Sequence, residues 1–241
     1  MNEPRSEFVG KEENIHLQWQ VAELLFDMDG TLIDSIAAIE DAWARWADAE
    51  EISLGPISTL HGRTADAIAS PLLPSERVEA AVQRLDDIEV ESIRAIVALP
   101  GALDLVRKIP RDRWGVVTSA SRRVALTRLK AGGIPTPSRL ISGDDVARGK
   151  PDPEPYLLAK FMSTDDSRAL ALEDTVAGLI SARGANCLTI GVVGTETAEV
   201  LAPYADAVIS SLANVQIVQL LDDGIVLKID ALPVSLAKTA E

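Results

Sequence analysis

The 241-residue chain has one cysteine, Cys187. That excludes an intramolecular disulfide and fits a reducing cytoplasm, the expected compartment. Basic residues are scarce: 23 Lys and Arg stand against 37 Asp and Glu, a formal charge of −14. Nucleic acid and anionic membrane surfaces both need basic surface, so neither is an expected partner. A local basic pocket for a small anion remains open. No uncharged apolar run reaches the roughly 18 residues of a membrane helix, and "MNEPRSEFVGKEENIHLQWQ" lacks the apolar stretch of a signal peptide. Repeats and low-complexity segments are also missing. What is present is globular: 47% hydrophobic and 25% charged residues. The length suffices for one core plus a small inserted domain, with a monomer as the expected state.

Short apolar runs mark strands at "AELLF" (22–26), "WGVVT" (114–118), "RLIS" (139–142), "ALALE" (169–173), "LTIGVV" (188–193) and "AVIS" (207–210). Helical patterns lie between them, at 101–109, 122–133, 153–162 and 176–185. Nearly continuous apolar strands alternating with helices predict an α/β fold, a doubly wound parallel sheet covered on both faces. Residues 36–99 interrupt the alternation. Ile36, Ile39, Trp43, Trp46 and Ala47 recur at helical spacing, as do Val78, Val82, Leu85, Ile93, Ile96 and Val97 after a Ser75 cap. The predicted organisation is an extension over 1–19, a core over 20–34 and 100–230, a helical cap domain over 35–99 and a tail over 231–241. Hinges are expected near Asp34–Ser35 and Leu99–Gly101. About the first 18 residues are expected to be loosely held, and "DDGIVLKID" to form a last short strand or hairpin arm.

Four polar features fall at or just beyond strand ends. They are Asp27 and Asp29 in "LLFDMDGTLIDS", Thr118, Lys150 in "ARGKPDPEPY", and Glu173 with Asp174 in "LALEDTVAG". Ligands of open parallel sheets bind outside the carboxyl ends of the strands, so distant residues can converge there. A cluster of carboxylates suits a hard dication, and oxygen donors favour Mg²⁺. Lys150 and the Thr118 hydroxyl would hold phosphoryl oxygens. Positioning and charge neutralisation are most of what phosphoryl transfer requires. One aspartate can attack phosphorus, and a second can carry the proton of the leaving oxygen.

In order and type, "DMDGT", "VVTSA", "GKPDPEPY" and "LEDTVAG" resemble the four motifs of the haloacid dehalogenase (HAD) superfamily of phosphotransferases, over roughly residues 22–230. The resemblance implies a Rossmann-like core with a small helical cap that closes over the substrate. It implies Asp27 as nucleophile, Asp29 as general acid/base, and Thr118 and Lys150 on the phosphoryl group, with Ser119 and Ala120 at the substrate. It also implies Mg²⁺ held by the Asp27 side chain, the Asp29 backbone carbonyl and Asp174, with Glu173 nearby through water. Dehalogenases of the superfamily lack the second aspartate, so Asp29 points to phosphate chemistry.

The cap stretch "LHGRTADAI" is similar to that of glycerol-3-phosphate and 2-deoxyglucose-6-phosphate phosphatases. It makes His61 and Arg63 candidate substrate contacts, since Arg63 offers a planar fork of donors to hydroxyls or phosphate. The expected activity is therefore Mg²⁺-dependent hydrolysis of a small phosphorylated metabolite, a sugar or polyol phosphate. Mutases of the β-phosphoglucomutase type carry a His where this chain has Ile39, and a different cap loop. A phosphonatase needs a cap lysine, and 35–99 contains none. Phosphoglycolate phosphatase, and a non-catalytic sensor that kept the phosphate pocket, are the remaining alternatives.

Overall fold

In chain order the elements are β1 (Ile15–Val21), β2 (Leu24–Phe26), β3 (Ile33–Asp34), α1 (Ile36–Glu50), α2 (Ala65–Ala69), α3 (Ser75–Glu91), β4 (Val97–Ala98), α4 (Ala102–Val106), β5 (Trp114–Val117), α5 (Arg122–Ala131), β6 (Arg139–Ile141), α6 (Glu154–Ala159), β7 (Leu170–Glu173), α7 (Val176–Gly184), β8 (Leu188–Val192), α8 (Ala198–Leu201), β9 (Ala207–Ile209), β10 (Val215–Leu221) and β11 (Gly224–Ala231). They come from a computed structural model that describes residues 14–56, 60–162 and 168–233.

Six parallel strands form the central sheet in the order β6-β5-β2-β7-β8-β9. Each corresponds to one of the apolar runs, trimmed by up to two residues. β2, β5 and β7 are buried on both faces, which is why they read as unbroken apolar sequence. After β2 the chain adds β5 and β6 on one side, then returns to place β7 on the other. The order therefore reverses at β2, and that reversal opens a crevice at the carboxyl ends of β2, β5 and β7. Ser121 and Thr175 cap α5 and α7 by accepting the amides of Val124 and Gly178, at 3.3 and 3.2 Å.

Between β2 and β5 the helices α1, α2 and α3 enclose a separate apolar cluster around Trp46, Ile68, Ala81 and Leu85. Pro74 occupies the cap position of α3, so Ser75 is its first helical residue rather than its cap. The two chain crossings into this helical segment pair as a small ribbon, β3 with β4. It lies next to Asp34–Ser35 and Leu99–Gly101 in the chain.

In a three-stranded antiparallel sheet, β1-β11-β10, the central β11 is the expected hairpin arm "DDGIVLKID", while β1 and β10 depart from the sequence expectation. β1 lies largely inside the stretch taken as a loose extension. It pairs with β11 from Ile15 opposite Ala231 to Val21 opposite Ile225. Ile225, Leu227 and Ile229 project into the main core, and Leu17 and Trp19 pack against it. The physical reason is period-two amphipathicity: Leu17, Trp19 and Val21 alternate with polar residues and turn one face of the strand to the main core while β11 pairs along its edge. β10, also absent from the sequence reading, completes the hairpin. Residues 1–13 of the expected extension and 234–241 of the expected tail lie outside the described residues.

Candidate active site

Asp27 follows β2 directly, and its amide donates to Leu172 O at 2.9 Å, so the residue is fixed at the strand end. Lys150 reaches it from the turn after β6. Lys150 Nζ lies 2.6 Å from Asp27 Oδ1, 2.6 Å from Glu173 Oε1 and 3.0 Å from Val117 O. Three acceptors thus take the three N–H bonds of an ammonium whose side chain is 1% exposed. Burial works against its charge, but Asp27 and Glu173 outweigh burial and raise its pKa, so Lys150 is a fixed cation.

Asp27, Glu173 and Asp174 each offer an oxygen within 4.8 Å of the others, and all three are buried. Burial raises the Asp27 pKa well above the usual carboxylate range against the pull of Lys150, and the charges of Glu173 and Asp174 add to it. Asp174 is pushed up to about 7 by burial and by Glu173. Although Thr195 lies near enough to Asp174 to lower its pKa somewhat, Asp174 Oδ2 has no hydrogen bond of good geometry among the described residues. Gly30, at φ 85°, leaves room beside it: a Cβ there would sit 2.0 Å from that oxygen. An unpartnered buried oxygen, an all-carboxylate donor set and a space kept free by glycine fit a hard dication. Such an ion would also relieve the repulsion that raises both pKa values.

Glu173 is engaged on both sides. Its Oε1 accepts from Tyr156 at 2.6 Å as well as from Lys150, and its Oε2 from Thr175 at 3.4 Å. It anchors the lysine before anything else. Thr118 is buried at the end of β5, where its hydroxyl accepts the Ala120 amide at 3.2 Å.

Above these groups lies a cavity of about 70 Å³ between core and cap. Asp27, Asp29, Ser119, Ala120, His61 and Arg63, all candidates from the sequence, border it; Thr118 and Lys150 do not. His61 stacks on Trp43, with centroids 5.8 Å apart and planes at 22°, and its Nε2 lies 3.3 Å from Glu40. Arg63 Nη2 donates to Ala67 O at 2.9 Å. Ser119 Oγ donates to Gly62 O at 2.6 Å and so joins the motif after β5 to the cap loop.

Asp29 does not face Lys150. Its carboxylate accepts from Ser35 Oγ at 2.5 Å and from Arg128 Nη1 at 3.2 and 3.3 Å. Arg128 was missed by sequence reading, as were Asp86 and Glu89; of the two tryptophans on the α1 stripe, Trp43 borders the cavity. The only cue available was polar residues on otherwise apolar helix faces: Glu89 on α3 and Arg128 on α5 are both buried.

Fold and site together define a capped α/β protein with a buried carboxylate–lysine centre at the sheet's reversal point. The chain belongs to the haloacid dehalogenase-like hydrolase family, whose model matches residues 24–192. It is 36% identical over 177 residues to hexitol phosphatase A of Escherichia coli, covering 70% of this chain and 81% of the relative. It is 33% identical over 198 residues to glycerol-1-phosphate phosphohydrolase 2 of Saccharomyces cerevisiae, covering 74% and 77%. Among solved structures, CbbY from Rhodobacter sphaeroides in complex with phosphate superposes with a TM-score of 0.67 at 26% identity, covering 80% of this chain and 95% of that one. No helix among the described residues is long and apolar enough to cross a membrane.

Proposed function

We propose that the chain is a phosphatase that hydrolyses a sugar or polyol phosphate through an aspartyl-phosphate on Asp27. The observation that carries this reading is the buried Asp27–Lys150–Glu173–Asp174 cluster. It pairs one fixed cation with an unpartnered carboxylate oxygen at the carboxyl end of the sheet. The named activities of the hexitol and glycerol-1-phosphate relatives support the substrate class.

In this reading Asp27 attacks phosphorus, Thr118 and Ser119 after β5 hold the phosphoryl oxygens, and Lys150, whose N–H bonds go to Asp27, Glu173 and Val117 O, supplies the fixed positive charge on the phosphoryl group. Asp29 gives its proton to the leaving oxygen as the P–O bond breaks. It then takes one from the water that opens the aspartyl-phosphate, and phosphate leaves. Asp27, Asp174, the Asp29 backbone carbonyl and, further out, Glu173 would hold Mg²⁺. Bound there, the ion supplies neutralisation of carboxylate and phosphate charge. We place the protein in the cytoplasm as a monomer.

The cavity of about 70 Å³ is well below the roughly 300–1,000 Å³ of ordinary ligand pockets. Cap and core therefore separate to admit substrate, and the β3/β4 ribbon is the place where they can turn. Ile39 borders the cavity as an apolar wall, which favours hydrolysis over the mutase alternative.

The reading is tested by phosphate release from a panel of hexitol, glycerol and hexose phosphates, with Mg²⁺ and with chelator. Release is expected from at least one polyol or sugar phosphate, only with the metal and not from Asp27→Asn. Turnover by Asp27→Asn would overturn the mechanism.

A further inference from the structure

Arg128 stands outside every motif that supports the phosphatase reading. It lies on α5, and its side chain is only 3% exposed. One end of its guanidinium, Nη1, donates to both oxygens of Asp29 in the core. The other end, Nη2, lies 3.1 Å from Glu89 Oε1 on α3 of the cap. That same oxygen accepts from Trp43 Nε1 at 3.2 Å, in the cavity wall. A single planar fork therefore spans the boundary between core and cap at the acid–base carboxylate.

Adhesion alone does not account for this placement. An exposed pair, Arg123 with Asp87, already ties α5 to α3 without desolvating either charge. Burying three charged groups is costly unless their geometry serves more than attraction. Arginine also differs from lysine in holding two carboxylates at a set angle.

We propose that Arg128 is a positioning residue that couples cap closure to the orientation of Asp29. The proposal rests on the phosphatase reading above. With the cap apart, Glu89 leaves and the fork is held at one end only. With the cap closed, Glu89 and Asp29 fix both ends, and Ser35 fixes the far side of Asp29. The Asp29 carboxyl is then set at the cavity wall, where its proton passes to the bridging oxygen as the P–O bond breaks. The alcohol departs and Asp29 remains as carboxylate. An alkyl leaving group needs that proton; p-nitrophenolate does not.

The test uses the full chain with Mg²⁺ in single-turnover reactions with enzyme in excess. Polyol release from a polyol phosphate is compared with p-nitrophenolate release from p-nitrophenyl phosphate. Product amplitude counts competent sites, so misfolded protein does not enter the rates. Arg128→Ala is expected to slow polyol release about 10- to 100-fold, within the range of general-acid catalysis, and p-nitrophenolate release less than about threefold. Arg128→Lys is expected to recover only part of the loss. Glu89→Gln, which breaks the cap end alone, is expected to slow polyol release by a smaller factor and to add nothing in the Arg128→Ala background. Equal losses with both substrates, or additive effects of the two sites, would overturn the proposal. Failure of the parent protein to release polyol at all would instead overturn the phosphatase reading.

Discussion

Cap and core both bury carboxylates, and they do so differently. In the cap, Glu50 at the end of α1 is 3% exposed and meets two arginines of α3, Arg77 at 2.7 Å and Arg84 at 2.5 Å. Each arginine is half exposed, so the pair keeps its positive ends in water while closing α1 on α3. In the core, Lys150 is sealed, its three protons are all accepted, and beside it Asp174 keeps an oxygen with no hydrogen bond among the described residues. A buried charge that is fully matched is a fastening. A buried charge set with an unmatched carboxylate oxygen suits a further cationic ligand. The same contrast separates Glu173, committed to Lys150 and Tyr156, from Asp174.

The sharpest way to break this contrast is Asp27→Asn. Phosphate release should fall by about a thousandfold or more, while the thermal midpoint holds within a few degrees, because the change removes a carboxylate that burial disfavours. Steady-state assay and calorimetry on the same sample check both halves.

Lys150→Met should be nearly as damaging to activity and should also unfold the protein more easily. It leaves Asp27 and Glu173 facing one another, at a cost of about 3–5 kcal/mol. Arg84→Met in the cap leaves Glu50 with Arg77, should cost about 1 kcal/mol or less, and should spare turnover. Denaturant titration of the two variants side by side measures the difference; equal losses would erase the distinction between fastening and site.

A third effect is pH-dependent. The Asp174 pKa is raised from an ordinary value of 3.8 to about 7 in the folded chain. Its contribution to stability is fully present below about pH 4 and is lost as pH rises through about 7, because the folded state then carries a charge that burial disfavours. Metal-free protein should therefore melt at lower temperature at pH 8 than at pH 5, over and above any general trend removed by an Asp174→Asn control. Mg²⁺ should stabilise more at pH 8, where no proton competes for the site. Melting curves in chelator and in Mg²⁺ at both pH values test the sign.

The smallest effect belongs to the cap loop. Arg63 is exposed and held by Ala67 O, so Arg63→Ala should raise KM by about three- to tenfold for the preferred substrate and change kcat less. Initial-rate kinetics separate the two.

Much of the core site was legible because it is local to strand ends. Asp27, Lys150, Glu173 and Asp174 each follow an apolar run within a short polar signature, and a parallel sheet gathers such ends on one side. Arg128 and Glu89 were not legible in the same way. They sit within helices, where a polar residue reads as a solvated face, and their meeting depends on how the cap lies on α5. The β1 strand was a different failure. Its alternation is plain in "IHLQWQV", but its partner β11 is more than two hundred residues away, and charge in the flanking residues drew the reading toward a loose extension.

The sequence by itself determined the class of fold, the helical interruption after the first core strand, and the strand-end carboxylates with their lysine. Those properties follow from hydrophobic period and from short motifs that carry their own geometry. Tertiary structure alone decided which way Asp29 faces, that Glu173 serves the lysine first, and that one arginine joins Asp29 to the cap. Each of these is a choice among several possible charge partners. Such choices are settled by burial and distance, because a desolvated charge takes the partners that packing puts within reach.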